Sequence, residues 1–234
     1  MAFRNKAHLI SPYKPDILVV PECENPGKLK YKDTQCPPRH CAWFGTNPNK
    51  GIGIFSYTNF QFKVSDSYNE NFKLVVPLFA SDGQSEITVF AIWANNPGDR
   101  DGQYVTQVWK ALTYYAPLLD AEKIILAGDF NSNSIWDRPS RTGNHTDVVS
   151  KLAEKNIFST YHQHFRYPQG KEQHPTHYLY RHENKPFHLD YCFVSANMLK
   201  HLKTVEIGDF AYWSKFSDHV PVISTFSKRG IKQA

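Results

Sequence analysis

Ile124-Ile125-Leu126-Ala127-Gly128-Asp129-Phe130-Asn131-Ser132-Asn133 reads as a short buried strand that runs into a polar turn. Four leading apolar residues suit a strand covered on both faces, and an acid and an amide follow at its carboxyl end. Residues i and i+2 of an extended chain point the same way, so Asp129 and Asn131 can face one cavity. Gly128 leaves room for close backbone approach. A carboxylate beside a neutral amide suits phosphate-ester hydrolysis. The acid can orient or deprotonate a water, and the amide can donate to a phosphoryl oxygen without adding repulsion. Gly-Asp and Asn are equally at home in an ordinary strand-to-turn junction, so this stretch alone leaves both readings open.

Working outward, Ile87 to Trp93 is a second strand rich in β-branched and aromatic residues. Asn95 to Asp99 reads as a loop. Tyr104, Val108, Trp109, Leu112, Tyr115 and Leu119 then recur at three- and four-residue intervals and predict an amphipathic helix. Upstream, Phe3, Ala7 and Ile10 mark a helical face that stops near Pro12, and Ile17 to Val20 is a buried strand ending at Glu22. Short strands are predicted at Ala42–Phe44, Gly53–Tyr57 and Lys73–Phe79. Downstream, a helix over His145–Lys155 precedes strands at Leu189–Val194 and Val220–Phe226. The alternation predicts an α/β (α+β) fold with helices around mixed sheets. No repeat, low-complexity tract or linker divides residues 1–234, so one domain is expected.

The formal charge of +5 favours approach of a polyanion without requiring one. The 16 Phe, 13 Tyr and 5 Trp mostly serve a core, with some left to stack on bases or sugars. No apolar run is long enough to span a membrane and no secretory leader is evident, so a cytoplasmic protein is expected. The four Cys include no CxxC pair. Reduced, mostly buried thiols are expected, against a zinc cluster at Cys36, His40 and Cys41. Nothing in the sequence calls for an obligate protein partner.

Three further clusters carry chemistry. Ser217-Asp218-His219 opens the last strand with a carboxylate and an imidazole, and a hydrogen-bonded turn is the bland alternative. Asp190 is the only acid in the apolar-aromatic stretch Phe187 to Phe193, where an unpaired charge is costly; His219 is its expected partner. Glu22 and Glu24 follow the strand Ile17–Val20. Hard oxygen ligands of this type suit magnesium or manganese, and Glu22, nearer the strand, is the expected ligand. Either could equally be surface charge.

These clusters lie at strand ends in the order Glu, Asp-x-Asn, Asp, Asp-His. In that order the sequence resembles the endonuclease/exonuclease/phosphatase superfamily over nearly its whole length. The resemblance implies a four-layer sandwich of two packed mixed β-sheets flanked by helices. It also implies a Mg2+-dependent phosphoric ester hydrolase, with Mn2+ as the alternative metal. By the same resemblance Glu22 is the principal metal ligand, assisted by Asp218, and Asp129 activates the attacking water. Asn131 positions the phosphate, and His219, oriented by Asp190, binds or protonates the phosphoryl oxygen. Asn144 resembles a substrate-contact asparagine of some members, with a helix cap as the equal alternative.

Two departures stand out. Members of the superfamily begin with a strand ending in Asn, whereas this sequence starts at the following helix, and Asn5 is no substitute. A single domain lacking that first strand is therefore expected, with an unpaired sheet position and weakened stability. After Ile87–Trp93 there is no Asn-x-Tyr, which puts abasic-site activity in doubt; Trp93 either lines the cleft or fills the core. The region His162 to His182, with His177, is expected to face substrate and set specificity, or else to be a polar surface loop. The expected function is an endo- or exonuclease acting on DNA or RNA. The alternatives are a phosphatase or phosphodiesterase for a small phosphorylated substrate, and a catalytically weakened binding module.

Overall fold

The computed structural model describes residues 3–29, 36–72, 74–95 and 104–227. The two strands read first from the sequence, β6 (Glu86–Trp93) and β7 (Ile124–Asp129), lie side by side in parallel. A parallel neighbour requires a crossover, and helix α2 (Val105–Tyr114) supplies it. Of the loop Asn95 to Asp99, only Asn95 is among the described residues. Strands β5 (Val75–Ser81) and β4 (Gln61–Val64) extend the sheet on one side. On the other lie β11 (Asp190–Ser195) and β8 (Ile157–Ser159). The result is a six-stranded mixed sheet in the order β4-β5-β6-β7-β11-β8.

Both faces of this sheet are apolar, as the unbroken runs of β6 and β7 demand. On one face Phe90, Ile92, Leu126 and Phe193 pack under Val108 and Leu112 of α2 and under Val148 and Leu152 of α3 (His145–Glu154). On the other face Val76, Leu78, Val89, Ala91 and Trp93 meet Ile52 and Ile54. The latter belong to a three-stranded antiparallel sheet of β1 (Leu18–Cys23), β3 (Lys50–Ser56) and β2 (His40–Asn47), in the order β1-β3-β2. Phe3 and Ala7, at the start of α1 (Ala7–Ile10), cover Cys23 and Phe55 behind it. Helices and several sheets thus make a mixed α/β fold, as expected.

The second sheet layer differs from the expectation in two ways. It is antiparallel rather than mixed, and it is divided. Among the described residues, strands β12 (Leu202–Ile207) and β13 (Val222–Phe226) pair with each other, and β1 pairs with β3 alone. Leu18, Val19 and Val20 on one side and Val222, Ser224 and Phe226 on the other line a cavity of about 460 Å³, floored by Ile125, Ala127 and Cys192. The cavity continues to the carboxyl ends of β1 and β7, where Glu22 and Asp129 stand.

Among the described residues no helix is long and apolar enough to cross a membrane. The thiols are less uniform than expected: Cys23 is buried, but Cys36 and Cys41 are exposed. Among the elements without a clear sequence signal are β8 and the helix α4 (Thr160–Phe165) that follows it. Both are short, and their apolar residues are too few to set a period.

Candidate active site

Strands β7 and β11 are antiparallel neighbours with Asp129 directly opposite Asp190. Residues opposed in this way point to the same face of a sheet, so two carboxylates distant in sequence arrive at one spot. Gly128 makes the approach possible. Its φ is +137°, and a Cβ there would sit 1.9 Å from the Ile92 carbonyl oxygen on β6. The turn beyond is tied back to the acid. Asn131, itself at φ +45°, donates from its backbone N–H to Asp129 Oδ1 at 2.8 Å and from Nδ2 to Oδ2 at 2.9 Å. Its Nδ2 also donates to the Ala94 carbonyl at 2.7 Å. Both amide hydrogens are therefore committed within the protein. In this arrangement Asn131 orients Asp129, where the sequence suggested that it would donate to phosphate.

His219 Nδ1 lies 2.9 Å from Asp190 Oδ2, the pairing anticipated from the sequence. The residue that makes it possible is Thr176, which the sequence reading gave no role. Thr176 is fully buried, and its Oγ1 accepts the backbone N–H groups of Leu189 and Asp190 at 2.9 and 3.0 Å. Its carbonyl accepts from Val220 N–H at 2.8 Å, and Tyr178 N–H donates to the Asp218 carbonyl at 2.7 Å. One threonine thus fixes the start of β11 and the turn that carries His219. A threonine between Pro175 and His177 looks like loop in sequence, since its role depends on tertiary neighbours. The His177 ring packs against that of His219 at an interplanar angle of 53°, with centroids 4.5 Å apart.

The electrostatics follow from this crowding. Burial and the neighbouring Asp190 push the Asp129 carboxyl up to about 8, against the opposing pull of His219. Burial alone would depress His219, but Asp190, Asp129 and Asp218 outweigh it and raise the imidazole to about 10. Burial likewise works to raise Asp218, but His219 holds it below the ordinary range. Asp129, Asp190 and His219 each present a ligand atom, all within 4.8 Å of one another, the one such group among the described residues. Two carboxylates forced together carry a charge excess that a hard divalent cation relieves.

Glu22 and Asp218 stand on the wall of the same cavity, outside that group. The β1–β3 register slips between Pro21 and Cys23, and Glu22 is the bulged residue, at φ +56°. Bulges of this kind re-aim a side chain at the rim of a site. The Glu22 carboxylate is half exposed and 2.9 Å from Lys50 Nζ. Glu24, by contrast, is structural: it is buried and accepts the backbone N–H groups of Phe3 and Arg4 and the Arg4 guanidinium.

Two other candidates fall elsewhere. Trp93 is a core residue, 5% exposed, with the Lys50 ammonium 5.2 Å from its ring centroid. Asn144 precedes α3, and its side chain spans the backbone of Arg138 and Arg141. Neither lines the cavity. Of the His162 to His182 region, His177 faces the cavity, while His162 pairs with Glu172 at 3.0 Å in the interior. Glu172 also accepts from Asn133 Nδ2 at 3.1 Å and Gly170 N–H at 3.0 Å. This buried carboxylate braces the turn that follows Asp129.

No curated protein matches the sequence. Solved structures do match in fold over nearly the whole chain. The 3′ phosphatase NExo from Neisseria, bound to a product DNA hairpin, is 18% identical, with a TM-score of 0.64 over 95% of this chain and 93% of that one. An AP endonuclease from Archaeoglobus fulgidus is 16% identical, with a TM-score of 0.64 over 97% and 96%. The endonuclease domain of TRAS1, a telomere-specific non-LTR retrotransposon, is 14% identical, with a TM-score of 0.61 over 97% and 95%. The sequence model of the endonuclease/exonuclease/phosphatase family matches residues 7–219, a span that holds Glu22, Asp129, Asp190 and His219, and the chain belongs to that family.

Proposed function

We propose that this protein hydrolyses phosphoester bonds in nucleic acid with the help of a bound divalent cation, magnesium or manganese. The observation that carries the reading is the opposition of Asp129 and Asp190 across β7 and β11, with His219 bonded to the second. The donor set fits a hard cation: Asp129 and Asp190 would hold it, with Glu22 and Asp218 on the adjoining wall. Bound there, such an ion supplies Lewis-acid stabilisation of the charge that develops on the phosphoryl oxygens.

The chain's own groups divide the remaining work. The Asp129 carboxylate, held at both oxygens by Asn131, accepts a proton from the attacking water. His219, kept protonated by Asp190, donates its Nε2–H to a phosphoryl oxygen. His177 packs against the imidazole and keeps its ring from swinging. Nucleic acid is favoured as substrate by the net charge of +5 and by neighbours whose names record action on DNA.

The test is hydrolysis of plasmid, single-stranded DNA, RNA and bis(4-nitrophenyl) phosphate with magnesium. Cleavage of a polymer, abolished by Asp129→Ala and by His219→Ala, supports the proposal. Turnover of the small ester alone points to a small phosphorylated substrate, and tight binding without turnover to a silent binding module.

A further inference from the structure

The cavity that holds Asp129 is rich in carboxylates. Glu22, Asp129, Asp190 and Asp218 all line it. A phosphoester is itself an anion, so the wall must also offer positive charge. His219 already gives its Nδ1 to Asp190, and burial with the nearby His219 keeps His177 below the ordinary imidazole range. Among the described residues the one lysine or arginine on the wall is Lys6.

Lys6 is held in an unusual way. Its Nζ donates to Ser217 Oγ at 3.1 Å, and it forms no ion pair among the described residues. An ammonium has three donors, so two remain without a partner among the described residues. Burial lowers its pKa, with Asp218 and Glu22 acting against that. Ser217 is also buried, and its Oγ accepts the His219 backbone N–H at 3.2 Å. With both acceptor positions of this hydroxyl occupied, its own hydrogen is free to donate. Lys6 and Ser217 therefore turn several unused donors toward one corner of the cavity, beside the turn that carries His219. Burying such donors is costly unless something accepts from them.

We infer that Lys6 and Ser217 form an anion-binding corner that grips a non-bridging oxygen of the substrate phosphoryl group, next to His219. The inference rests on the phosphoester reading above but concerns binding, so it is tested separately from turnover. The ligand class is a tetrahedral oxyanion, and inorganic phosphate is the probe.

Calorimetric titration of the full chain with inorganic phosphate, without divalent metal, is the experiment. Wild type is expected to bind phosphate, Lys6→Gln to bind about tenfold or more weakly, and Lys6→Arg to stay within about threefold, because a charge-assisted hydrogen bond is at stake. Ser217→Ala keeps the lysine and is expected to lose a smaller factor, which provides a readout should Lys6→Gln fold poorly. Unchanged phosphate affinity in Lys6→Gln, or no phosphate binding by wild type, overturns the inference. The bis(4-nitrophenyl) phosphate assay separates the two proposals. A KM raised about tenfold in Lys6→Gln with a similar kcat marks uniform binding lost, as the corner requires. Phosphate binding that depends on Lys6 in a protein without turnover would sink the hydrolase and leave the corner standing.

Discussion

Asp129 and Asp190 face each other across an antiparallel strand pair, and His219 closes the group from a third segment at 2.9 Å from Asp190. Asp190→Asn keeps the shape and removes the charge that holds the imidazole protonated. Turnover is expected to fall by about 10²–10⁴-fold, the range for losing a positioned general acid. The pH profile is the sharper readout, because the alkaline limb should move toward neutral pH. A variant with reduced rate but an unshifted profile would place Asp190 outside this role.

The same group ties stability to pH. His219 rises from an ordinary 6.5 to about 10 on folding, so the folded protein binds more protons there. That contribution is complete below about pH 6.5 and is lost as pH climbs through the folded value. Asp129, raised from 3.8 to about 8, acts with the same sign over its own window, because its ionised form is disfavoured by burial and by Asp190. Melting temperature is therefore expected to decline from pH 6 to pH 9 in metal-free buffer. Magnesium should restore more of it at pH 8 than at pH 5.5, and Asp129→Asn should remove that difference. A melting temperature rising with pH, or an equal magnesium effect at both values, contradicts the assignment.

What the sequence made legible is the chemistry carried within single stretches. Asp129 beside Asn131, Asp218 beside His219, and the need of Asp190 for a partner all follow from local order and from the cost of an unpaired charge. What it hid depends on register and on backbone contacts. Nothing local indicates that Asp190 stands opposite Asp129, that Thr176 clamps two segments through its hydroxyl and carbonyl, or that Lys6 reaches Ser217. Asn131 was expected to donate to substrate; its amide is bonded to Asp129 and to the Ala94 carbonyl, which comes from another strand end. The region His162 to His182 was expected to face substrate or to be a polar surface loop, whereas two of its histidines, His162 and His174, pack against Tyr191 and Tyr161.

Glu172 tests that interior. Burial opposes its charge, but His162, Asn133 and Gly170 hold the carboxylate down to about 2. Glu172→Ala leaves His162 Nε2 and the Gly170 N–H without this acceptor and is expected to cost about 2–6 kcal/mol, at roughly 1–3 for each buried group left unpaired. Urea denaturation at pH 7 measures it. Since the depressed value is reached only near pH 2, the wild-type contribution persists at all pH values above about 4.5 and fades below. A loss under about 1 kcal/mol would show that water can replace the carboxylate.

Gly128 is the tightest point of the framework. Alanine there meets the Ile92 carbonyl oxygen at 1.9 Å and requires a φ of +137° that side chains rarely adopt. Gly128→Ala is expected to destabilise the fold by more than about 3 kcal/mol or to prevent soluble expression. If the variant folds with near-normal melting temperature, its circular dichroism and activity should still report a displaced Asp129.

The divided sheet layer gives the last expectation. Among the described residues, β1 and β13 each have one edge without a strand partner, beside Leu18, Val20, Val222 and Phe226. Exposed edges of this kind invite an additional strand. An N-terminal extension carrying a strand with alternating apolar residues can lie between them, bond to both, and cover Ile125, Ala127 and Cys192 on the cavity floor. It would join the three-stranded and two-stranded sheets into one continuous layer opposite the six-stranded sheet. Burying a few apolar side chains at about 1.5–3 kcal/mol each should raise the melting temperature by several degrees. Turnover should rise with it, because β1 and the turn before β13 carry Glu22 and His219. Chains with and without the extension are compared by calorimetry and by hydrolysis of bis(4-nitrophenyl) phosphate. Equal melting temperature and equal turnover would mean that the cleft is a substrate groove, with its edges meant to stay open.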